Sequence, residues 1–165
     1  ADHGEQALSH SLVEKFYNAY EESIHIPLIV SNPIAFSHAR KTDALASHLD
    51  LIPTLAHLLG VDKEFDCFHG KDLTPILDNP NDSVQKLIHF TYDDIPCRGS
   101  PSIVRCIRKS RYKYAVYFTP NGDDADWELY DLSTIPRKII TKQDNPPLPI
   151  FNNYWIMNSS RPCGT

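Results

Sequence analysis

Three side chains near the start of the chain are of types that could do chemistry together: Asp2, His3 and Lys15. In Asp2-His3-Gly4-Glu5 a carboxylate stands beside an imidazole and a glycine follows. Asp2 offers oxygen and His3 nitrogen, the usual protein donors to a divalent cation. Gly4 lets the backbone turn without the penalty of a Cβ. Lys15 is a point charge suited to an anionic group held on such a metal. A short string of this kind is also what an ordinary turn looks like, so the elements around it must decide.

Residues 1–15 read as a polar, irregular loop. In an open α/β sheet, ligands sit beyond the carboxyl ends of the strands. A strand placing Asp2 and His3 there would have to end just before Ala1, and it is not in this sequence. Phe16 to Ser23 reads as a short helix or turn. Ile24 to Val30 is a short apolar run with β-branched residues, which predicts a buried, parallel strand, with Pro27 in conflict. Ile34 to Thr42 reads as a loop with His38, Arg40 and Lys41 in solvent. Asp43 to Leu59 carries Leu45, Leu49, Ile52, Leu55 or Ala56, and Leu59 at helical spacing. Pro53 in a first turn puts the start of regular helix near Asp50, a structural cap, and Gly60 suits the C-terminal cap. Lys71 to Leu77 is a short turn or helix packing Leu73 and Leu77.

From Leu87 the period changes. Leu87–Tyr92, Ser102–Ile107, Tyr112–Thr119 and Trp127–Leu132 read as strands of a small antiparallel sheet. Arg108-Lys109-Ser110-Arg111 makes a hairpin turn, and Asn121-Gly122-Asp123-Asp124 another turn. The tyrosines of this half read as core and edge packing rather than a binding platform. Residues 133–165 are proline-rich with little periodicity and read as an irregular tail. The division expected is 1–80, an α/β core portion; 81–132, a small antiparallel subdomain; and 133–165, the tail.

Composition sets outer bounds. The 165 residues are 41% hydrophobic and 22% charged, an ordinary globular balance with room for a core. A net charge of −5 argues against nucleic acid as a partner, and no apolar run approaches the length of a membrane span. Ala1 is not an initiator Met and no signal peptide is visible, so the chain reads as starting inside something or as processed. Cys67, Cys97, Cys106 and Cys163 lack zinc-ribbon spacing. Neither they nor the sequons at Asn81 and Asn158 assign a compartment.

The order and spacing of several blocks carry more information than any one of them. Asp2-His3-Gly4-Glu5, His10, Lys15 and Tyr20-Glu21-Glu22-Ser23-Ile24-His25-Ile26-Pro27-Leu28-Ile29-Val30 are followed by Ser47-His48-Leu49-Asp50-Leu51-Ile52-Pro53-Thr54-Leu55, Leu59-Gly60-Val61, Gly70-Lys71-Asp72-Leu73-Thr74-Pro75-Ile76-Leu77 and Trp127-Glu128-Leu129-Tyr130-Asp131-Leu132. This series resembles the sulfatase family, within the alkaline phosphatase-like superfamily, over its C-terminal portion. The resemblance implies an α/β fold: the C-terminal part of an alkaline phosphatase-like sandwich, then a small antiparallel sheet. It implies hydrolysis of a small-molecule or glycan sulfate ester. The nucleophile would be a formylglycine made from Cys or Ser in a Cys/Ser-x-Pro-x-Arg motif, beside a divalent cation, typically calcium (Ca2+). By the same resemblance Asp2 and His3 are metal ligands, Lys15 contacts the sulfate, and His10 belongs to the same loop, its role left open.

None of the four cysteines heads the modification motif, and Ser31-Asn32-Pro33-Ile34-Ala35 lacks the arginine. The nucleophile and half of the metal shell are therefore expected from a missing N-terminal half, and this chain alone should be inactive. The family usually has glycines where this chain has Leu8 and Ser11, which puts the φ > 0 geometry of that loop in question. Ala1 replaces the usual Ser or Thr, and Ser133-Thr134-Ile135-Pro136 the usual acidic turn. Two other readings stay open: a phosphodiesterase or phosphonate monoester hydrolase of the same superfamily, and a non-catalytic remnant binding another protein through an exposed sheet edge. Tyr92, Asp93, Asp94 and Arg98 are candidates to line the pocket, but no motif fixes them there.

Overall fold

The computed structural model describes residues 1–15, 17–34, 36, 38–61, 68–93, 103–119, 125–133 and 137–140, the last of these as backbone. Five strands form one sheet: β1 (Ile88–Asp93), β2 (Ile103–Arg108), β3 (Tyr112–Phe118), β4 (Asp126–Asp131) and β5 (Arg137–Ile140). Their order is sequential and every pairing antiparallel, so each strand folds back on its predecessor. The β2–β3 hairpin is closed by Lys109 N–H donating to the Tyr112 carbonyl at 2.8 Å. The register sets Cys106 opposite Ala115, and Ala115 opposite Glu128. Residues directly opposite share a face, so Phe90, Cys106, Ala115, Glu128 and their i±2 neighbours line one side. Ile107, Tyr114, Val116 and Trp127 line the other, where Tyr114 and Trp127 stack at 5.9 Å.

The first four strands lie within a residue of the sequence expectation. The fifth does not: Arg137–Ile140 extends the sheet beyond Leu132, inside the stretch expected to be irregular. Ser133 is described and donates to Asp131; the other residues of that tail, the Asn121–Asp124 turn, Asp94, Arg98, Cys67, Cys97 and Cys163 lie outside the described residues. Tyr114 and Tyr130 are buried core residues, as packing tyrosines should be.

The helices are short: α1 (Glu21–Ile24), α2 (Leu51–Leu58) and α3 (Thr74–Asp78), with single 3-10 turns at Ser9–Ser11 and His48–Asp50. Regular helix begins at Leu51, near Asp50 as Pro53 implied; before it, of the wider run from Asp43, only the 3-10 turn from His48 is helical. Ser47 is its cap: the Ser47 hydroxyl accepts from Leu49 N–H, and Asp50 accepts from Ser47 N–H at 2.7 Å, a capping box. Asp50 is structural beyond that turn, since its buried carboxylate also takes Lys71 N–H and the Gln85 amide, both at 2.7 Å. Gly60, at φ 71°, ends α2 as expected, with Gly60 N–H on His57 and Val61 N–H on Ala56. Arg40, exposed as expected, also donates to the Asp78 carbonyl at 2.7 Å and satisfies the end of α3.

The predicted strand at Ile24–Val30 is absent. Ile24 ends α1, the rest pairs with no described strand, and Leu28, Ile29 and Val30 are exposed, Ile29 by 87%. Pro27 offers no ladder N–H, and an apolar run becomes a buried strand only where neighbours flank it. The apolar side chains of α2 and its flanks (Leu49, Ile52, Leu55, Leu59) are exposed as well. The described core sits instead between α1 and the sheet, where Ala19, Cys106 and Ala115 pack with Ile24, Phe90 and Tyr117.

Candidate metal site

The opening loop is held against α1 by its own backbone. Gly4 N–H donates to the Ser23 carbonyl at 2.9 Å, and the buried Gln6 amide reaches the Ser23 hydroxyl at 2.5 Å and Asn18 at 3.3 Å. Gly4 is required for closeness rather than for an unusual turn. Its φ is not positive, but a Cβ there would overlap the Glu22 carbonyl oxygen.

Asp2 and His3 stand in front of this anchor. His3 Nδ1 lies 2.7 Å from the Gly4 carbonyl, which can only accept, so Nδ1 carries the proton and Nε2 keeps its lone pair. That Nε2 faces Asp2 Oδ2 at 3.7 Å. Two donors each about 2.3–2.6 Å from one cation, at right angles to it, lie about 3.3–3.7 Å apart. Distance and tautomer therefore both fit a shared cation, and the carbonyl on Nδ1 is the outer partner that a metal-binding imidazole needs. The Asp2 carboxyl is held below its usual range by its own backbone N–H and, when the imidazole is protonated rather than metal-bound, by the charge of His3, with a smaller contribution from Lys15. Asp2 is therefore an ionised, exposed donor, and Lys15 is close enough to act on it. Among the described residues no third His, Cys, Asp or Glu joins the pair. Two donors are far short of the six to eight oxygens calcium takes.

His10 goes elsewhere. Its ring stacks on Tyr20 at 4.0 Å, and its Nε2 lies 3.6 Å from Glu22. The loop around it adopts the geometry that the missing glycines had put in question: Ala7, Leu8, His10 and Ser11 have φ of 48°, 74°, 54° and 61°. Four non-glycine residues in the left-handed region carry roughly 1–2 kcal/mol each, strain that surrounding contacts must hold in place. Tyr92 and Asp93, candidate pocket residues, are engaged on the sheet: Tyr92 stacks on Tyr17 at 4.9 Å, and Asp93 pairs with Arg105 at 2.6 Å.

The sequence reading missed two groups beside this site. His48 Nε2 donates to the Ala1 carbonyl at 3.0 Å and ties the start of the α2 segment to the residue before Asp2. Glu21 is clamped between Lys113 at 2.8 Å and Arg108 at 3.4 Å. Neither follows a hydrophobic period; the one signal was the side-by-side charge of Glu21 and Glu22. The buried Cys106 thiol is pushed up to about 12 by desolvation, which makes it a core residue and a poor nucleophile.

Comparison with known proteins gives the class and then the portion. Residues 9–148 match the family described as N-sulphoglucosamine sulphohydrolase, C-terminal. The chain is 32% identical over 151 residues to a Delta 4,5-hexuronate-2-O-sulfatase of Bacteroides thetaiotaomicron, covering 86% of this chain and 29% of that protein. It is 36% identical over 63 residues to the uncharacterized sulfatase YidJ of Escherichia coli (38% and 12%), and 31% identical over 107 residues to a steryl-sulfatase of Mus musculus (63% and 16%). No solved structure matches. The chain belongs to the sulfatase family of sulfuric ester hydrolases, as its C-terminal portion. It spans less than a third of the length of each of these relatives. The family match includes His10 and Lys15 and begins after Asp2 and His3.

Proposed function

We propose that this chain is the C-terminal part of a metal-dependent sulfatase, in which Asp2 and His3 hold a divalent cation, calcium on the family's usage, and Lys15 contacts the sulfate. One observation carries the reading: the lone pair of His3 and the carboxylate of Asp2 converge at 3.7 Å in a chain of sulfatase family. On this reading a bound cation would neutralise charge on the sulfuryl oxygens. Asp2 and His3 fix where that charge sits. Lys15 adds a second positive charge where negative charge builds as the S–O bond breaks. His10, stacked on Tyr20, stiffens the loop between Asp2 and Lys15. The other ligands and the formylglycine nucleophile would come from an N-terminal part. The exposed apolar residues 28–30 and the outer face of α2 support a larger α/β body of alkaline phosphatase-like sandwich type covering them.

The test is hydrolysis by the complete protein of a nitrophenyl sulfate and of a bis-nitrophenyl phosphate, with calcium and after chelation. Calcium-dependent turnover of the sulfate ester, lost in Asp2→Asn and His3→Ala, supports the reading. Preference for the phosphate diester would favour the related phosphodiesterase or phosphonate hydrolase chemistry. Activity toward neither, with no effect of calcium on stability, would make the chain a non-catalytic remnant.

A further inference from the structure

We propose that Glu21 is a positioning residue: its clamp on Lys113 and Arg108 fixes the opening loop to the C-terminal sheet and so keeps Asp2 and His3 converged. This rests on the metal-site reading above.

Arg108 and Lys113 are directly opposite on neighbouring strands and share a face. Like charges so placed repel, and a lysine is almost never fully buried unless paired, yet the Lys113 side chain is only 1% exposed. The same face carries the buried Glu128 carboxylate, which accepts from the Tyr117 and Tyr130 hydroxyls. A carboxylate that reaches both cations arrives from the other layer. Glu21 Oε1 takes Lys113 Nζ at 2.8 Å, and Glu21 Oε2 takes Arg108 at 3.4 Å and faces His25 at 3.1 Å. The Tyr130 ring lies 4.7 Å from Lys113 Nζ and contributes cation–π attraction. Burial pushes the Glu21 carboxyl up, but the hydrogen bond and charge of Lys113, then those of Arg108, outweigh it and leave it below its usual range.

The path from this clamp to the site is short. Glu21 opens α1; Ser23, two residues on, holds Gly4 through its carbonyl and Gln6 through its hydroxyl. Gly4 sits so close that it has no room for a Cβ, and Asp2 and His3 directly precede it. A second bolt acts in parallel: Tyr117 hydroxyl accepts from Ala19 N–H at 2.9 Å and donates to Glu128 at 2.6 Å. Beside the apolar contact of Ala19 and Ile24 with Cys106, Ala115 and Phe90, these directional contacts set the orientation of α1. Loosening Glu21 should let α1 shift and spread the two metal donors.

The experiment measures, in the complete protein, the Ca2+ concentration for half-maximal hydrolysis of a nitrophenyl sulfate, together with thermal stability. Glu21→Gln is compared with Ile76→Ala, a core change in α3 away from the clamp, and with Asp2→Asn. The expected result is a rise of up to about tenfold in the Ca2+ requirement for Glu21→Gln, the lower end of the scale for groups bonded directly to metal ligands, because Glu21 acts through α1 and Gly4, with none for Ile76→Ala at a comparable loss of stability. If Glu21→Gln does not fold, Glu21→Asp, one methylene short of Lys113, gives the same readout. A variant at Glu21 that loses stability but keeps the wild-type Ca2+ requirement overturns the proposal. If Asp2→Asn also keeps it, the metal-site reading itself fails, and the positioning role with it.

Discussion

The two ends of this chain are stabilised in opposite ways. The C-terminal sheet is built of successive hairpins whose apolar residues meet within the chain, at Val104, Cys106, Ile107, Ala115 and Val116. The described residues before β1 are held largely by polar contacts: Gln6, Ser23, Glu21, Asp50 and Gln85 tie loops together, while Leu28, Ile29, Val30 and Leu59 are left in solvent. The sheet therefore makes its strand pairing and much of its apolar contact within its own hairpins, and takes Ala19, Glu21 and Ile24 onto one face. The opening half is a set of surfaces and loops arranged for something else, and the candidate metal donors lie in that half.

This contrast can be broken by mutation. The largest effect expected is Asp2→Asn: activity of the complete protein should fall on the order of a hundredfold or more, with the urea midpoint unchanged in calcium-free buffer, because the Asp2 side chain is 91% exposed. Next, Ile107→Ala should cost about 2–5 kcal/mol by urea denaturation, as for other buried aliphatic truncations. Ile29→Ala sharpens the comparison. It should be near neutral in the 165-residue chain but cost about 1–3 kcal/mol in the complete protein if that surface is covered there; equal cost in both would remove the case for a covering body.

How far the sequence could be read follows the same division. Alternating tyrosines and valines, a basic turn and the Trp127 strand made four strands legible, since hairpin pairing is local and its pattern is written in adjacent residues. The fifth strand was missed because Pro136 and its neighbours carry the composition of a tail, and edge pairing with β4 overrides that. Ile24–Val30 was misread because an apolar run states that it will be covered but not by what. At the site, Asp2 and His3 were visible as adjacent residue types. The Glu21 clamp was not, because it joins positions ninety-two residues apart that no period connects.

Smaller effects test the loop. Ser11→Gly should stabilise by up to about 1 kcal/mol, relief of left-handed strain less the extra freedom of the unfolded glycine; a loss would mean that other contacts of Ser11 outweigh its strain. The smallest is a pH effect. Burial lowers the His89 pKa below the usual 6.5, so its contribution is complete above that value and is lost as pH falls through the folded value. Glu21, also lowered, contributes fully above 4.5 and loses its contribution as pH falls through its own folded value. Urea midpoints should therefore decline in two stages on acidification, and His89→Gln should remove the first.

The most direct measurement is anomalous scattering from crystals of the complete protein soaked in Mn2+ as a probe of the cation site. The account predicts a peak within about 2.5 Å of both an Asp2 carboxylate oxygen and His3 Nε2, absent in Asp2→Asn crystals. A peak bound elsewhere, with Asp2 and His3 untouched, would contradict it.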